Sequence, residues 1–285
     1  MAQPALSVLS VPPLPHLSAA HVPLTREATA RAADGSTKRI QLATERPLAL
    51  YVDRQEIVTL MTLGQMPELL TLGYLLNQGL VERASEIESI TVDWEVGAAA
   101  ARTRQGVSGL AERLAHRTIT TGCGQGTVFG DWQRRVQPLP AAEPAAPSVT
   151  HEALVQMLDA MRRHPSVHRD AGSVHGTALW HGGQTLLVHV EDVGRHNAVD
   201  TVAGWAAMNG IDGTACWLYT TGRLTSEMVL KAAQLRVPVV VSRNGATAMG
   251  QELAERLNVT LIGRASGQRY LCYSGVARLA PARSP

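Results

Sequence analysis

The chain has 285 residues, of which 45% are hydrophobic and 18% charged, so it is long and apolar enough for one large or two modest folded domains. Its formal net charge of +2 is too small to indicate a nucleic-acid partner. The N-terminus lacks the pattern of a signal peptide, and no apolar run reaches the ~18 residues of a membrane span. Three cysteines, odd in number and widely spaced, argue against a disulfide framework. We therefore expect a cytoplasmic protein with no membrane or nucleic-acid partner.

The first half of the chain predicts a small α+β unit. Residues 1–35 are rich in Pro, Ala and Ser without a sustained period, which is typical of a flexible segment. Strand patterns follow over 37–62, and a helix begins at Pro67. A further strand pair and a short helix then lead into a glycine-rich loop. Residues 36–137 are thus predicted to form the smaller domain, which ends in that loop.

The second half predicts an α/β unit with a mixed sheet and flanking helices. The segment 138–148 has four prolines in eleven residues and is interpreted as a linker. A helix over 149–163 and a hairpin turning at Gly182–Gly183 follow it. Helices then alternate with buried strands, and a last hairpin closes the chain. This alternation over 149–285 indicates a sheet that is at least partly parallel.

Polar loops follow three predicted strands, at 190–197, 220–227 and 242–247, and each opens a helix. Ligands collect at the carboxyl ends of strands in open α/β sheets, and free N–H groups at a helix N-terminus attract anions. Each loop also carries an arginine, and we call the three loops together the anion rim. Simple helix capping explains any one loop equally well, but three on one edge favour an anionic ligand. The candidate residues are Arg195, His196, Asn197, Arg223, Ser242 and Arg243.

Ten histidines and three cysteines are the other chemically active side chains. No histidine pair has a Cys or carboxylate partner at a familiar ligand spacing, and the HxE…PCxxC pattern of zinc deaminases is missing, so no protein-bound metal is predicted. Cys216 and Cys272 lie in apolar strand patterns typical of core positions. Cys123 lies between two glycines in TITTGCGQGTVFG, without apolar periodicity. It is the candidate nucleophile, and a glycine-rich turn without chemistry is the alternative.

Long motifs in both halves resemble the FdhD family of formate dehydrogenase accessory sulfurtransferases. In the second half they are EDVGRHNAVD at 191–200, TGRLTSEMVLKAA at 221–233 and the segment 238–263. In the first half they are TERPLALYVD at 44–53 and ELLTLGYLLNQGLV at 68–81. The resemblance runs from about residue 38 to residue 275.

The resemblance implies a small α+β domain followed by a domain similar to cytidine deaminases, without their zinc site, and a homodimer. It implies that a cysteine desulfurase loads a sulfane sulfur onto Cys123. That sulfur then passes to the molybdenum bis(molybdopterin guanine dinucleotide) cofactor destined for formate dehydrogenase. Many members carry a second cysteine three residues later, where this chain has Gly126. The family's cofactor-binding segment corresponds to Arg264, Ala265, Ser266, Gly267, Gln268 and Arg269.

Two functions stay open from the sequence. The first is a sulfurtransferase with a persulfide on Cys123, whose glycine neighbours would let the thiol swing between the donor and the cofactor. The second is a cofactor carrier or chaperone without sulfur transfer, which the loss of the second cysteine at Gly126 keeps in play. A nucleotide-modifying enzyme of deaminase type is a third option and would need bound zinc.

Overall fold

The computed structural model of the chain describes residues 13–107, 110, 118–119, 126–127, 136–140 and 149–281. The first half forms the following elements in chain order: β1 (His16–Leu17), β2 (Thr25–Arg31), β3 (Thr37–Ala43), β4 (Arg46–Val52), β5 (Gln55–Thr62), α1 (Pro67–Asn77), β6 (Ile87–Asp93), β7 (Ala98–Thr103), β8 (Thr118–Ile119) and β9 (Gly126–Thr127).

The second half continues with α2 (His151–Arg163), α3 (Val167–Ala171), β10 (His175–His181), β11 (Thr185–Asp192), α4 (Arg195–Met208), β12 (Cys216–Thr220), α5 (Ser226–Gln234), β13 (Val239–Ser242), α6 (Ala248–Arg256), β14 (Thr260–Ser266) and β15 (Arg269–Ser274). Single-turn 3-10 helices lie at Ala84–Glu86, Gly213–Ala215 and Val276–Arg278.

Two sheets organise the molecule. The first has the strand order β1-β6-β7-β4-β5, and the second has the order β11-β10-β12-β13-β14-β15. In the second sheet β12, β13 and β14 are parallel, and antiparallel hairpins close both edges. The α/β class with a mixed sheet and flanking helices is confirmed. Because β11 and β12 are both antiparallel to β10, they run in the same direction as β13 and β14. The carboxyl ends of β11, β12, β13 and β14 therefore lie at one edge of the sheet.

The prediction that residues 1–35 are flexible is wrong from His16 onward. Strand β1 pairs in parallel with β6, and β2 forms a hairpin with β3. The hydroxyl of Ser18, just after β1, donates to Glu68 at the start of α1 (2.5 Å), which fixes this segment on the first sheet. The strand β2 was not predicted from the sequence because its residues are all partly or fully exposed. It therefore lacks the apolar alternation that marks a half-buried strand.

The prediction that residues 138–148 form a linker is also wrong for the first residues of that segment. Leu139 is buried in the core of the second half and exchanges backbone and side-chain hydrogen bonds with Leu257 and Asn258. Arg278 donates to the carbonyl of Pro140 (2.8 Å). Residues 138–140 are therefore part of the packed domain, while 141–148 lie outside the described residues.

Helices α1 and α4 join the two halves at a very close crossing. A Cβ atom on Gly73 would overlap the carbonyl of Asp200, and one on Gly204 would overlap the carbonyl of Leu69. Only glycine allows two backbones to approach so closely. No helix in the described part of the chain is long and apolar enough to cross a membrane.

A buried polar cluster lies beside that crossing. The side chain of Asp200 accepts hydrogen bonds from Asn77 on α1 (2.7 Å) and from Lys231 on α5 (2.8 Å). Both Asp200 and Lys231 are 0% exposed. The cluster of Asn77, Asp200 and Lys231 connects three helices and, through Asn77, both halves of the chain, so it is a structural joint.

Candidate functional site

The three loops of the anion rim meet at the carboxyl edge of the second sheet, as predicted. Hydrogen bonds join the second and third loops: Ser242 donates to the carbonyl of Gly222 (2.5 Å), and the amide of Asn244 donates to the carbonyl of Thr221 (2.8 Å). The backbone N–H of Arg264 in turn donates to the carbonyl of Asn244 (2.9 Å). The first loop contacts the second through Arg195, whose side chain lies against Gly222.

Two predicted site residues serve this internal structure. Ser242 is fully buried between loops, as its bond to Gly222 requires. Asn197 is 1% exposed and donates to the carbonyl of Met61 and to Asp192 (both 2.8 Å). Their polar atoms satisfy neighbouring backbone and side chains, so the prediction that these two residues face a ligand is wrong.

The carboxylate of Asp192, which ends β11, explains why Asn197 is held inside. It accepts hydrogen bonds from the Thr62 hydroxyl (2.5 Å) and the Leu63 N–H (3.0 Å) of the first half, and from the Gly194 N–H (2.8 Å) of its own loop. Burial raises the pKa of Asp192, whereas these donors favour its ionised form. The motif at 191–197 is therefore a joint between the two sheets.

His196 is also interior, but one of its atoms is left unpaired. The side chain is 3% exposed, and its Nε2 lies 3.3 Å from Glu227 on α5. Burial, together with the cations Lys231 and Arg195, lowers the pKa of His196 to about 2, so the ring is neutral. Within the described residues no hydrogen-bond partner reaches its buried Nδ1. A neutral, unpaired acceptor beside cationic side chains is suited to an N–H or O–H donor of a ligand.

Arg195 and Arg223 form one positive end of the rim. Arg195 starts α4, and its stem packs on Gly222, where an added Cβ would lie 3.0 Å from the arginine Cβ and Cδ. Its buried Nε has no partner among the described residues. Arg223 is exposed, and both cations act on the nearby His175. A half-buried guanidinium that has no carboxylate partner among the described residues is the feature of this edge that most directly favours a negatively charged ligand.

Arg243 and Arg264 form the other positive end, and both are exposed. Arg243 hydrogen bonds to Tyr219, so it opposes the rise that burial imposes on the pKa of that tyrosine. Arg264 has a left-handed backbone with φ of 50°, at a bulge in β14. A β-carbon on Gly245 would lie within 4 Å of both Arg264 Nε and the Tyr273 hydroxyl. A non-glycine residue in this conformation is strained by roughly 1–2 kcal/mol, so the fold holds Arg264 over the rim at a cost.

The rest of the predicted cofactor-binding segment forms the turn between β14 and β15. Ser266, Gln268 and Arg269 are exposed, and Gly267 takes a positive φ of 58° as the turn requires. Ala265 is 0% exposed and packs in the core below the sheet, so it is unavailable to a ligand. The predicted segment therefore supplies exposed polar groups at the rim, with Ala265 as the exception.

Cys123 lies outside the described residues. The chain on both sides of it is paired, because β8 and β9 align Thr118 with Thr127 and Ile119 with Gly126. Cys216 is buried, and Cys272 is half-buried and donates to the carbonyl of Ser274 (3.1 Å). Burial raises the pKa of both thiols, so neither forms a thiolate readily, in line with their predicted core roles.

Several residues of the edge were missed from the sequence. His175, Asn244, Tyr273 and Glu227 were not among the predicted site residues, although Asn244 and Glu227 lie in two of the predicted loops. Their contacts at the rim depend on strand pairing and loop packing, which local patterns do not reveal. Among the described residues, no group of three or more His, Cys, Asp or Glu side chains could hold a metal ion.

Comparison with known proteins gives a consistent result. The FdhD/NarQ family model matches residues 43–280. The sulfur carrier protein FdhD of Listeria monocytogenes is 28% identical over 238 residues, which are 84% of this chain and 91% of the relative. The sulfur carrier protein FdhD of Bacillus subtilis is 29% identical over 239 residues, or 84% of this chain and 90% of the relative.

A solved structure agrees with these relatives. A crystal structure from Desulfotalea psychrophila, described as a formate dehydrogenase accessory protein, superimposes with a TM-score of 0.74 at 26% identity, covering 90% of this chain and all of that one. The match extends across both sheets and the anion rim, and this chain therefore belongs to the FdhD/NarQ family.

Proposed function

We propose that the protein is a sulfurtransferase that carries sulfane sulfur on Cys123 from a cysteine desulfurase to the molybdenum cofactor of a formate dehydrogenase. Membership of a family whose matched relatives are named sulfur carriers is the observation that supports this most strongly. The cofactor is cargo, and its guanosine and pyrophosphate groups fit an edge that presents Arg195, Arg223, Arg243 and Arg264. The name of the structural relative supports the link to formate dehydrogenase.

Loading of Cys123 is a thiol–persulfide exchange. The Cys123 thiolate attacks the outer sulfur of the donor persulfide, the donor S–S bond breaks, and the donor cysteine leaves as a thiolate. Cys123 then holds the sulfane sulfur as a persulfide, and no electrons are gained or lost overall. The glycines on either side of Cys123 leave the backbone free to approach a bulky partner.

Release of the sulfur as sulfide consumes two electrons. A second cysteine three residues later could supply them by forming a disulfide with Cys123, but Gly126 stands there. We therefore propose that a small-molecule thiol attacks the Cys123 side of the persulfide and becomes part of a mixed disulfide. A second thiol then reduces that mixed disulfide, so two thiols are oxidised for each sulfide released.

Labelled sulfur tests this function. Incubation with a cysteine desulfurase and labelled cysteine should place the label on Cys123, as mapped by mass spectrometry, and Cys123→Ala should remove it. Cys272→Ala is the matched control and should load normally. Full formate dehydrogenase activity in a strain with Cys123→Ala would refute sulfur transfer and favour the second candidate, a cofactor carrier without transfer, which the Gly126 substitution keeps open.

The thiol requirement has its own test. Loaded wild-type protein should release little sulfide until a small thiol is added, whereas Gly126→Cys should release sulfide without it. Equal release by both proteins in the absence of thiol would contradict the proposed role of Gly126.

A guanine nucleotide tests the anion rim separately. Arg195→Ala or Arg223→Ala should each weaken its binding about 10- to 100-fold, which corresponds to the ~1.5–3 kcal/mol of a charge-assisted hydrogen bond. Arg162→Ala removes an exposed arginine of α2 that pairs with Asp159 on the same helix, and it should leave nucleotide binding unchanged. Unchanged affinity in both rim variants would remove the ligand from this edge.

A further inference from the structure

One titratable residue of the rim, His175, is surrounded by positive charge. It is the first residue of β10, where it pairs in register with Asp192 of β11. Its Nδ1 lies 3.4 Å from the hydroxyl of Thr221, in the loop after β12. It therefore lies at the carboxyl edge, between the loop that carries Arg195 and the loop that carries Arg223.

Three groups act electrostatically on His175 from separate elements: Arg195 of α4, Arg223 in the loop after β12, and His168 of α3. Burial is the first cause that lowers the pKa of His175, and these three groups lower it further. The nearest carboxylate in register, Asp192, is already held by donors from Thr62, Leu63, Gly194 and Asn197. The ring is therefore neutral at neutral pH in the free protein.

Other titratable groups nearby are poor proton acceptors. His196 has a pKa of about 2 and remains neutral through the physiological range. Arginine side chains stay protonated at all relevant pH values. His189 of β11 lies beside Gly176, and burial lowers its pKa. His168 is exposed on α3 and serves as the control.

We propose that His175 is the proton-coupled element of the anion rim, which takes up a proton from solvent when a pyrophosphate-bearing ligand binds. This inference rests on the proposed function, since it assumes that a phosphate-rich ligand occupies the rim. Two phosphate charges placed against Arg195 and Arg223 would cancel the repulsion that those arginines impose on a protonated His175. The imidazolium would then add a further positive group toward the ligand.

The sign of the pH effect follows from linkage. Ligand binding raises the pKa of His175, so binding and protonation strengthen each other. Affinity should rise as the pH falls through the pKa of the bound form, and it should be independent of pH well above it. A difference of one pKa unit between bound and free protein makes the affinity at most about tenfold tighter at a pH below both pKa values than at a pH above both.

The probe should have phosphates that do not titrate in this range. Diguanosine diphosphate, a 5′–5′ pyrophosphate diester, meets this condition. Isothermal titration calorimetry at pH 6.5 in two buffers of different ionisation enthalpy counts the protons taken up. We expect net proton uptake in the wild type, at most about half a proton for a difference of one pKa unit, none in His175→Gln, and wild-type uptake in the matched control His168→Gln. At pH 8.5 His175→Gln should bind as well as the wild type.

The outcomes distinguish a failure of the role assigned to His175 from a failure of the proposed ligand binding at the anion rim. Binding without proton uptake, or undiminished uptake in His175→Gln, would overturn the role of His175 alone. No binding of the dinucleotide at any pH would overturn the anion rim and this inference together. An NMR titration of the His175 ring in the wild type, with and without the dinucleotide, gives the same test without a substitution. A ring pKa that does not rise on binding would overturn the proposal.

Discussion

Replacement of Lys231 with methionine tests the buried joint between the two halves. Methionine keeps most of the side-chain volume but removes the only cation within hydrogen-bond distance of Asp200 among the described residues. Both partners are 0% exposed, so the remaining carboxylate would be buried with a single donor, Asn77. Breaking a buried pair in this way costs about 3–5 kcal/mol, which for a chain of this length lowers the Tm by roughly 5–8 °C.

The exposed pair between Arg102 and Glu88 is the matched control. Its side chains are 74% and 44% exposed, so Arg102→Met should cost at most about 1 kcal/mol. The double variant Lys231→Met/Asp200→Leu should recover most of the lost stability, since it leaves no unpaired buried charge. Urea denaturation followed by circular dichroism measures all three variants.

The pH dependence of Lys231→Met provides a second readout. Without its cation, the buried Asp200 has a folded-state pKa raised above that of the unfolded chain. A raised acid pKa favours folding at low pH, and that contribution is lost as the pH rises through the folded-state value. The deficit against wild type should therefore be smaller at pH 5 than at pH 8. A loss no larger than that of Arg102→Met would refute the view that this pair stabilises the buried cluster at the joint between the halves.

Three further substitutions probe other features of the fold and the rim. Gly73→Ala should destabilise the protein by about 1–3 kcal/mol, because the added Cβ overlaps the Asp200 carbonyl; a gain in Tm, as expected for Ala in an uncrowded helix, would contradict the close crossing. Asp192→Asn should cost about 2–4 kcal/mol in urea denaturation, since an amide cannot accept from all of its donors, and a loss below ~0.5 kcal/mol would contradict that network. Arg264→Gly should be about 1 kcal/mol more stable than Arg264→Ala because it relieves the left-handed strain, while both variants bind a guanine nucleotide more weakly than the wild type; equal stability of the two would refute the strain.

Much of the fold could be predicted from the sequence because apolar periodicity reports burial directly. The helix from Pro67, the hairpin at Gly182–Gly183 and the alternating elements of the second half are confirmed. The prediction for the segment before residue 35 was wrong because its structure depends on pairing with distant strands and on single polar contacts such as that of Ser18. Local patterns carry little information about such long-range partners.

For the candidate site, the position of the loops could be predicted but the orientation of their side chains could not. The sequence located the three loops correctly, because strand ends of the same direction must meet at one edge. It could not separate residues that face a ligand from residues that bond to each other. Asn197 and Ser242 have the same polar character as the exposed residues of the rim, yet the side chains of both make internal hydrogen bonds. His175 lay outside the motif that suggested the rim and needed the β10–β11 register to be found.

The end of β11 also has a consequence for folding fidelity. Glu191 accepts from Ser166, Val167 and His168 at the start of α3, whereas its neighbour Asp192 accepts from Thr62 and Leu63. Consecutive side chains of a strand project to opposite faces, so slippage by one residue would exchange the two carboxylates. The longer one would then be crowded against the first sheet, and the shorter one would fall short of α3. A misaligned hairpin would lose both sets of bonds at once, so the two neighbouring carboxylates together favour the native register of β11.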